Sequence, residues 1–285
     1  MKADVGGGYP VRLWRGVGRV ERGPTGQMTD RFSGDYSDLG VSAVVYRGTF
    51  TPTAIHRHYA IQVVDCPQGI DLRRGDDTLT GVTGVVIGSG VPHQLLSYGR
   101  ATVTYVAPHT ADGRRLGESI SSDTADCPGP AVTGGPEGGR PDSVADEIVL
   151  WIGQRIRDTP TAALHLPDVA MSFHLSAPSV RRILAAGLDV SYSQIVQWER
   201  LRLAIEFIAE GSGCTDAATG AGFYDGPHFN RICKAMLGIA PRLIELRYVR
   251  PVQPAAPGAP SRSPSCPERP RVVDHSPLGG RRWPF

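Results

Sequence analysis

Long hydrophobic runs are missing from this 285-residue sequence. No apolar segment approaches the roughly 18–20 residues needed to cross a bilayer, and the opening residues MKADVGGGYP lack the apolar region of a secretion signal. The sequence therefore predicts a cytoplasmic protein that does not contact a membrane.

The sequence also lacks the usual signatures of a disulfide framework, a zinc finger and an active site. Its five cysteines are an odd number and show no paired metal-ligand spacing. The glycine run at 6–8 follows no predicted strand and opens no predicted helix, so it is not a nucleotide-binding fingerprint. No motif pairs a nucleophile with a base. We therefore predict that the protein is not an enzyme.

The hydrophobic pattern divides the chain into a β-rich part and a helical part. Short β-prone runs separated by Gly, Pro and Asp fill residues 41–106, a spacing typical of an all-β sandwich or barrel. Helical periodicity begins near Ile148 and continues to Tyr248, so the predicted fold class is α+β. The predicted segments are a flexible N-terminus at 1–30, a β domain at 31–117, a linker at 118–142, a helical domain at 143–249 and a disordered Pro-rich tail at 250–285.

The helical domain contains an internal repeat. Several positions recur at one fixed offset along the chain. The matching pairs are Ser176 with Asp225, Pro178 with Pro227, Val180 with Phe229, Arg182 with Arg231, Ile183 with Ile232, Leu188 with Leu237, Val190 with Ile239 and Ile195 with Ile244. Such self-similarity indicates that one supersecondary unit is used twice.

Each copy has the features of a helix-turn-helix unit. A helix rich in small residues and a short turn precede an N-cap residue, Ser176 or Asp225, which is followed two residues later by proline. A capping side chain satisfies the free amides of a helix start, and proline in the first turn removes only an amide that has no intrahelical partner. Two such units predict a tandem reader of duplex DNA.

The pattern resembles the second helix-turn-helix signature of the AraC/XylS family of bacterial transcription regulators. The resemblance runs from about 143 to 248 and is carried by Gly222, Phe223, Asp225, Phe229, Arg231, Lys234, Gly238 and Pro241, and by Arg200, Leu201 and Ala204 of a bridging helix. The chain departs from the family pattern at Cys214, Ala217, Pro227 and Cys233. The resemblance implies an activator or repressor of transcription that binds double-stranded DNA, with RNA polymerase and a second copy of the chain as candidate partners.

Recognition helices meet base edges through their first turns, which locates the candidate DNA contacts. The predicted DNA-binding residues are Pro178, Ser179, Arg181, Arg182, Pro227, His228, Asn230 and Arg231. The net charge of the helical domain gives no sign of a DNA-binding surface, because residues 142–250 contain 11 basic and 12 acidic residues. The segments 177–186 and 226–238 contain basic residues and no acidic ones, which predicts a local basic face.

The β domain carries a second resemblance, to the two-motif pattern of cupin barrels. The matching positions are Gly48, His56, His58, Gln62, Gly69, Gly88, Gly90 and His93. Alternate residues of a strand point to the same face, so the three histidines are expected to meet inside a cupin-like barrel. We interpret this domain as a sensor whose pocket is formed by His56, His58, Gln62 and His93.

Two kinds of occupant are open for this pocket. Three imidazoles suit a Zn, Ni, Fe or Cu ion. Sensor domains of the AraC/XylS type, however, mostly use a cupin-like barrel without metal, and Gln62 stands where metal-binding cupins commonly have Glu. We therefore expect a small-molecule effector and no cofactor, with a divalent transition metal at His56, His58 and His93 as the less favoured alternative. The alternative function is a cupin-type metal sensor or metalloenzyme with a regulatory helical domain.

Overall fold

A computed structural model describes residues 12–14, 31–40, 43–121, 141 and 143–250. Most of the predicted N-terminus and linker and nearly all of the predicted tail lie outside these residues, so those three assignments stay predictions. None of the described helices has the length and apolarity needed to cross a membrane.

Eight strands within the described residues form one mixed sheet. The strands are β1 (Arg12–Trp14), β2 (Phe32–Asp38), β3 (Ala43–Phe50), β4 (Ile61–Arg74), β5 (Asp77–Ile87), β6 (Gln94–Leu95), β7 (Gly99–Val106) and β8 (Ile244–Tyr248). Their order is β1-β5-β4-β7-β3-β2-β8, and β6 pairs with β4. All neighbours are antiparallel except β2 and β8, which are parallel.

The prediction of a β domain followed by a helical domain is confirmed, but the sheet is not closed into the predicted barrel. Strands β1 and β8 stand at opposite ends of the strand order, and they do not pair within the described residues. The physical reason lies at the edge of β2. In a closed barrel this edge would pair with the far end of the same sheet, whereas here β8 occupies it.

Strand β8 belongs to the helical domain by sequence and to the sheet by pairing. Immediately after it, the Val249 N–H donates to the Tyr36 carbonyl at 2.8 Å, and the Ser37 hydroxyl donates to the Val249 carbonyl at 2.8 Å. The first bond continues the backbone pairing beyond the strand itself, and the second adds a side-chain contact. The end of the helical domain is therefore fastened to the β domain by backbone hydrogen bonds.

Seven α-helices lie within the described residues. They are α1 (Ala111–Ser121), α2 (Val144–Asp158), α3 (Leu166–Ser172), α4 (Ala177–Leu188), α5 (Tyr192–Ala209), α6 (Cys214–Gly220) and α7 (Gly226–Leu237), and a 3-10 turn (Pro241–Leu243) precedes β8. Helices α4 and α7 have the same length, and they begin and end at equivalent positions of the sequence repeat. The repeat in the sequence is therefore a repeat in the structure.

Helix α5 is the centre of the helical domain. Ten of its 18 residues are buried, and it contacts α2, α6, α7, β2 and β8. A helix that is apolar on nearly all sides is stable only when it is surrounded by other elements. Residues of α5 share one hydrophobic core with Tyr36, Val44 and Tyr59 of the β domain. The two domains are thus packed together through a common core.

A buried ion network joins α5 and α2 to the end of β2. On α5, the Arg202 side chain is 5% exposed; it pairs with Asp38 at 3.3 Å and Glu199 at 3.4 Å, and it donates to the Gly40 carbonyl at 2.6 Å. On α2, Arg157 pairs with Asp38 at 2.7 Å. Burial acts to lower the pKa of Arg202, but the carboxylates of Glu199 and Asp38 outweigh it and raise the pKa. The guanidinium therefore stays charged in the core.

We expect Arg202→Met to destabilise the protein, because it leaves Asp38 and Glu199 buried without this partner. Removing one member of a buried ion pair costs roughly 3–5 kcal/mol. Arg247→Met is the matched control, since Arg247 pairs with Asp35 at the surface, where an ion pair contributes about 0–1 kcal/mol. Urea unfolding measures both values. Equal effects of the two substitutions would show that the buried network adds no stability.

Candidate functional site

The second helix of each helix-turn-helix unit begins at a side-chain cap. The Ser176 hydroxyl accepts a hydrogen bond from the Ser179 backbone N–H at 3.2 Å, and the Asp225 carboxylate accepts one from the His228 N–H at 2.6 Å. The predicted N-caps are therefore confirmed. Because a helix start leaves its first amides free, these caps fix where α4 and α7 begin.

Five of the predicted DNA-binding residues are exposed near these helix starts. They are Pro178, Arg181 and Arg182 on α4, and Pro227 and Arg231 on α7. Of the ion pairs among the described residues, none involves these three arginines. Neither helix contains an acidic residue. Both helices therefore present arginine side chains to solvent, and the start of α7 also carries the exposed carboxylate of its cap Asp225.

The other three predicted DNA-binding residues, Ser179, His228 and Asn230, are half-buried. The Ser179 hydroxyl lies 2.8 Å from that of Ser176. The His228 ring packs edge-on against Phe223, with the ring centroids 5.5 Å apart. These contacts hold Ser179 and His228 against their own unit, so the exposed residues form most of the accessible surface.

The four predicted pocket residues lie together inside the β domain. His56, His58, Gln62 and His93 are all buried, with at most 5% of their surface exposed. His56 and His93 face each other across an isolated β-bridge. The centroids of the three imidazole rings are 4.2 to 5.9 Å apart. We call these four residues the histidine cluster.

A backbone carbonyl orients each imidazole of the cluster. The Nδ1 atoms of His56, His58 and His93 lie 2.9, 2.7 and 2.9 Å from a carbonyl oxygen two residues away in the chain. Burial lowers the pKa of all three rings, to about 4 for His56, so the rings are neutral at neutral pH. A neutral imidazole has one N–H, which the carbonyl holds on Nδ1. The Nε2 atoms are therefore left with their lone pairs.

The side-chain oxygen of Gln62 lies between two of these lone pairs. Its Oε1 atom is 3.0 Å from Nε2 of His58 and 2.8 Å from Nε2 of His93. With Nδ1 as the donor of each ring, both contacts would join two acceptors. Two arrangements resolve this: the amide turns so that its NH2 group donates to both rings, or a cation lies among the ligand atoms.

A cavity of about 80 Å³ lies where the sheet meets α5 and the end of α7. His56 and Gln62 belong to its wall, as do Tyr36 on β2 and Arg202 on α5. The remaining lining side chains are mainly apolar. The cavity is thus formed jointly by the β domain and the helical domain.

Two buried donors in this wall have no hydrogen-bond partner within the described residues. They are the Tyr36 hydroxyl and the Arg202 Nε–H. Burial, with the nearby Asp38 carboxylate, raises the pKa of Tyr36, so its hydroxyl keeps its proton. A buried donor without a partner costs roughly 1–3 kcal/mol, which favours an occupant that accepts hydrogen bonds. Neither residue was predicted for the site, because neither stands in a motif and they meet only through tertiary packing.

The loop that carries two of the cluster histidines also contacts the end of α7. The Ala54 N–H donates to the Gly238 carbonyl at 2.8 Å, and the Arg57 N–H donates to the Ala235 carbonyl at 3.2 Å. Gly238 has a φ of 71°, and a Cβ at this position would lie 2.6 Å from Nδ1 of His56. The histidine cluster and the second helix-turn-helix unit are therefore in direct contact.

Comparison with known families and proteins gives one family match, in the helical domain, and a related protein. A family profile described as "Helix-turn-helix domain" matches residues 169–244, which include most of both units. The HTH-type transcriptional regulator YfiF of Bacillus subtilis strain 168, itself described as uncharacterized, is 31% identical over 114 residues. The match covers 40% of this chain and 36% of YfiF, so the chain spans about a third of its relative's length.

Two solved structures are partly similar. Wild-type ToxT from Vibrio cholerae strain SCE256, bound to an unsaturated fatty acid, has a TM-score of 0.46 and 14% identity, and the match covers 72% of this chain and 95% of ToxT. A transcriptional regulator from Chromobacterium violaceum with an AraC-type DNA-binding domain has a TM-score of 0.32 and 19% identity, and the match covers 34% of this chain and 88% of the other.

We expect Gly238→Ala to weaken the contact between α7 and the loop of the β domain. A non-glycine residue in the left-handed region costs roughly 1–2 kcal/mol, and the new Cβ would also meet the Ala54 carbonyl oxygen at 2.7 Å. Gly75→Ala is the matched control, because Gly75 has a φ of 55° and a Cβ there would meet nothing within 4 Å. Chemical unfolding should show a larger loss for Gly238→Ala, and equal losses would mean that the contact contributes nothing.

Proposed function

We infer that this chain, which carries a helix-turn-helix domain of the AraC type behind an N-terminal β domain, is a sequence-specific DNA-binding transcription regulator. The observation that carries this proposal is the repeated unit, whose two second helices each begin at a side-chain cap and expose arginine to solvent. The family profile is described as a helix-turn-helix domain and YfiF as an HTH-type transcriptional regulator, which supports a regulator rather than an enzyme.

Helices α4 and α7 are the proposed reading helices. Helix α5 lies between the two units and is largely buried, so it holds the reading helices at a fixed separation. Adjacent major-groove faces recur about every 10–10.5 base pairs. We propose that each reading helix enters one face, with Arg182 and Arg231 at the base edges. The other residues proposed to contact DNA are Pro178, Ser179, Arg181, Pro227, His228 and Asn230.

A small-molecule effector bound in the cavity between the sheet and α5 is the second part of the proposal. The wall combines apolar side chains with two donors, the Tyr36 hydroxyl and the Arg202 Nε–H, that have no partner in the described part of the chain. Cavities of this composition favour a mainly apolar ligand with few polar groups. Because the cavity borders α5, an occupant would contact the helix that sets the spacing of the reading helices.

The charges around the cavity narrow the class of effector. The Arg202 guanidinium is already paired with Asp38 and Glu199. An anionic ligand would compete with these buried carboxylates and be repelled by them. We therefore propose a neutral effector with a hydrogen-bond acceptor, such as a carbonyl or ether oxygen, placed near Tyr36 and Arg202.

We expect Arg182→Ala and Arg231→Ala each to cost about 1–3 kcal/mol on the specific DNA site, because each removes a base contact. A genome-wide binding footprint would identify the site, which should show two contact clusters about one helical turn apart. Each substitution should relax sequence preference only in its own cluster. The loss of binding free energy should be larger for Arg182→Ala than for Arg231→Ala, because Arg231 belongs to the second unit, which departs further from the family pattern.

Arg155→Ala is the matched control for this experiment, since Arg155 is an exposed arginine on α2. The affinity of this variant for the specific DNA site should stay close to that of the unchanged protein when all variants are measured at one stated salt concentration. An even loss across all sequences would assign the arginines to phosphate contacts. A single cluster in the footprint would contradict the claim that both units bind DNA.

We expect Tyr36→Phe to leave the stability of the ligand-free protein unchanged or to raise it, because the hydroxyl has no partner within the described residues. The same change should weaken effector binding by about 0.5–1.5 kcal/mol, the contribution of one hydrogen bond. A thermal-shift screen of neutral small molecules, followed by titration of each hit against the variant, measures both effects.

Tyr46→Phe is the contrasting variant for the cavity. Tyr46 also lines the wall, but its hydroxyl donates to the Thr49 carbonyl. Its loss should therefore destabilise the ligand-free protein by about 0.5–1.5 kcal/mol. Marked destabilisation by Tyr36→Phe, or hits that bind this variant as tightly as the unchanged protein, would remove the cavity as the effector site.

A further inference from the structure

The histidine cluster has a property that an effector cavity does not require. Backbone carbonyls hold Nδ1 of three neighbouring imidazoles, and the side-chain oxygen of Gln62 lies beside Nε2 of both His58 and His93. We propose that His56, His58, His93 and Gln62 bind one divalent transition-metal ion, and that the ion fixes the adjoining loop against the end of α7. The binding site can be tested without DNA, and only its regulatory consequence rests on the proposed function.

The orientation of the imidazoles fits metal binding. Histidines that bind metals through one ring nitrogen usually donate the other N–H to a carbonyl or carboxylate, which fixes the tautomer and aims the lone pair. All three cluster histidines have this carbonyl at Nδ1. Their possible ligand atoms lie within 4.8 Å of one another. The three rings are therefore preset to share one ion through modest side-chain adjustment.

The position of Gln62 fits the same ion. Ligand atoms about 2.0–2.2 Å from one metal ion lie roughly 3–3.5 Å from their neighbours, depending on the coordination number. The Gln62 oxygen lies 3.0 and 2.8 Å from the Nε2 atoms of His58 and His93. If an ion lies among these atoms, the Gln62 oxygen and the two Nε2 atoms no longer oppose one another as acceptors, because all three donate lone pairs to the ion.

The ligand types define the class of metal. Imidazole nitrogen suits zinc, nickel, cobalt or copper, whereas magnesium and calcium require oxygen ligands. The cluster supplies three nitrogens, one amide oxygen and no carboxylate. The bound ion would therefore keep its double charge among neutral ligands, which makes its binding weaker than at a site with Glu.

A direct path leads from the cluster to the helical domain. His56 lies against Gly238, and its neighbour Ala54 donates to the Gly238 carbonyl. The His58 ring packs on Trp198 of α5, with the ring centroids 5.8 Å apart. An ion that holds His56 and His58 in place therefore also orders the contacts of α7 and α5.

Metal binding is tested on the full chain without a polyhistidine tag, stripped with a chelator and then dialysed against Zn²⁺, Ni²⁺ or Co²⁺. We expect about one ion per chain by elemental analysis. Bound Co²⁺ should give visible ligand-field absorption bands. Added Zn²⁺ should displace the Co²⁺ and abolish these bands in the unchanged protein. Failure to retain any of the three ions would overturn the proposal.

Variants locate the ion. His93→Ala should lower the metal affinity at least about tenfold, because even the loss of a supporting partner costs about 10–100-fold. His174→Asn is the control, because His174 is exposed and its φ of 53° suits Asn. Its metal affinity should be unchanged. Equal metal binding by His93→Ala and the unchanged protein would place the ion elsewhere and overturn the proposal.

Gln62→Glu separates a metal site from a purely hydrogen-bonded core. A carboxylate is a stronger ligand than an amide oxygen, so this variant should bind Zn²⁺ at least as tightly, and Zn²⁺ should raise its Tm. In a hydrogen-bonded core, the NH2 group of Gln62 would donate to both rings. A carboxylate has no N–H, so Gln62→Glu would remove both hydrogen bonds and Zn²⁺ would not stabilise the variant. Failure of Gln62→Glu to bind Zn²⁺, or to be stabilised by it, would overturn the metal assignment.

Amide hydrogen exchange tests the link to α7. Adding Zn²⁺ should slow exchange in the loop at 53–58 and in the last turn of α7 at 234–238. Gly238→Ala should remove the effect in α7, because the new Cβ would push the loop away from the end of this helix. Slower exchange confined to the β domain would contradict the regulatory link, whether or not the protein proves to bind DNA.

Discussion

Burial of α5 between the sheet and the other helices is the contact on which the rest of the structure depends. This helix joins the two helix-turn-helix units, and one of its faces also completes the core of the β domain. Its charged residue Arg202 is held by Asp38 from β2, so the docking position is fixed by an ion network as well as by apolar packing. Any change in how α5 sits on the sheet must alter the geometry of both units.

The cavity and the histidine cluster act on different parts of this contact. The cavity lies against α5, so an occupant that shifts α5 would change the separation of α4 and α7. The cluster lies beside the end of α7, where Gly238 leaves room for the loop of the β domain. Strand β8 then returns the chain to the sheet immediately after α7. The second unit is consequently restrained on both sides by the β domain, whereas the first is restrained mainly through α5.

The sequence predicted the local features of the helical domain and missed its tertiary attachment. Caps such as Ser176 and Asp225 act on amides within the first turn of their own helix, so the internal repeat was enough to locate α4 and α7. The pairing of β8 with β2 joins the end of the helical domain to the start of the β domain, and it has no local signature. The cluster was predicted from strand alternation, but the contact between Gln62 and two imidazole lone pairs required the fold.

The weak overall charge of the helical domain has a structural explanation. Part of its acidic content neutralises arginines within the fold: Glu199 pairs with Arg202, Glu206 with Arg157 and Asp146 with Arg114. These residues enter a count of net charge but present little field at the surface. The arginines at the starts of α4 and α7 have no acidic neighbour on their own helix. A domain with 11 basic and 12 acidic residues can still offer DNA a positive face where its exposed arginines and its exposed acids lie on different surfaces, because a local field depends on the arrangement of charges and not only on their sum.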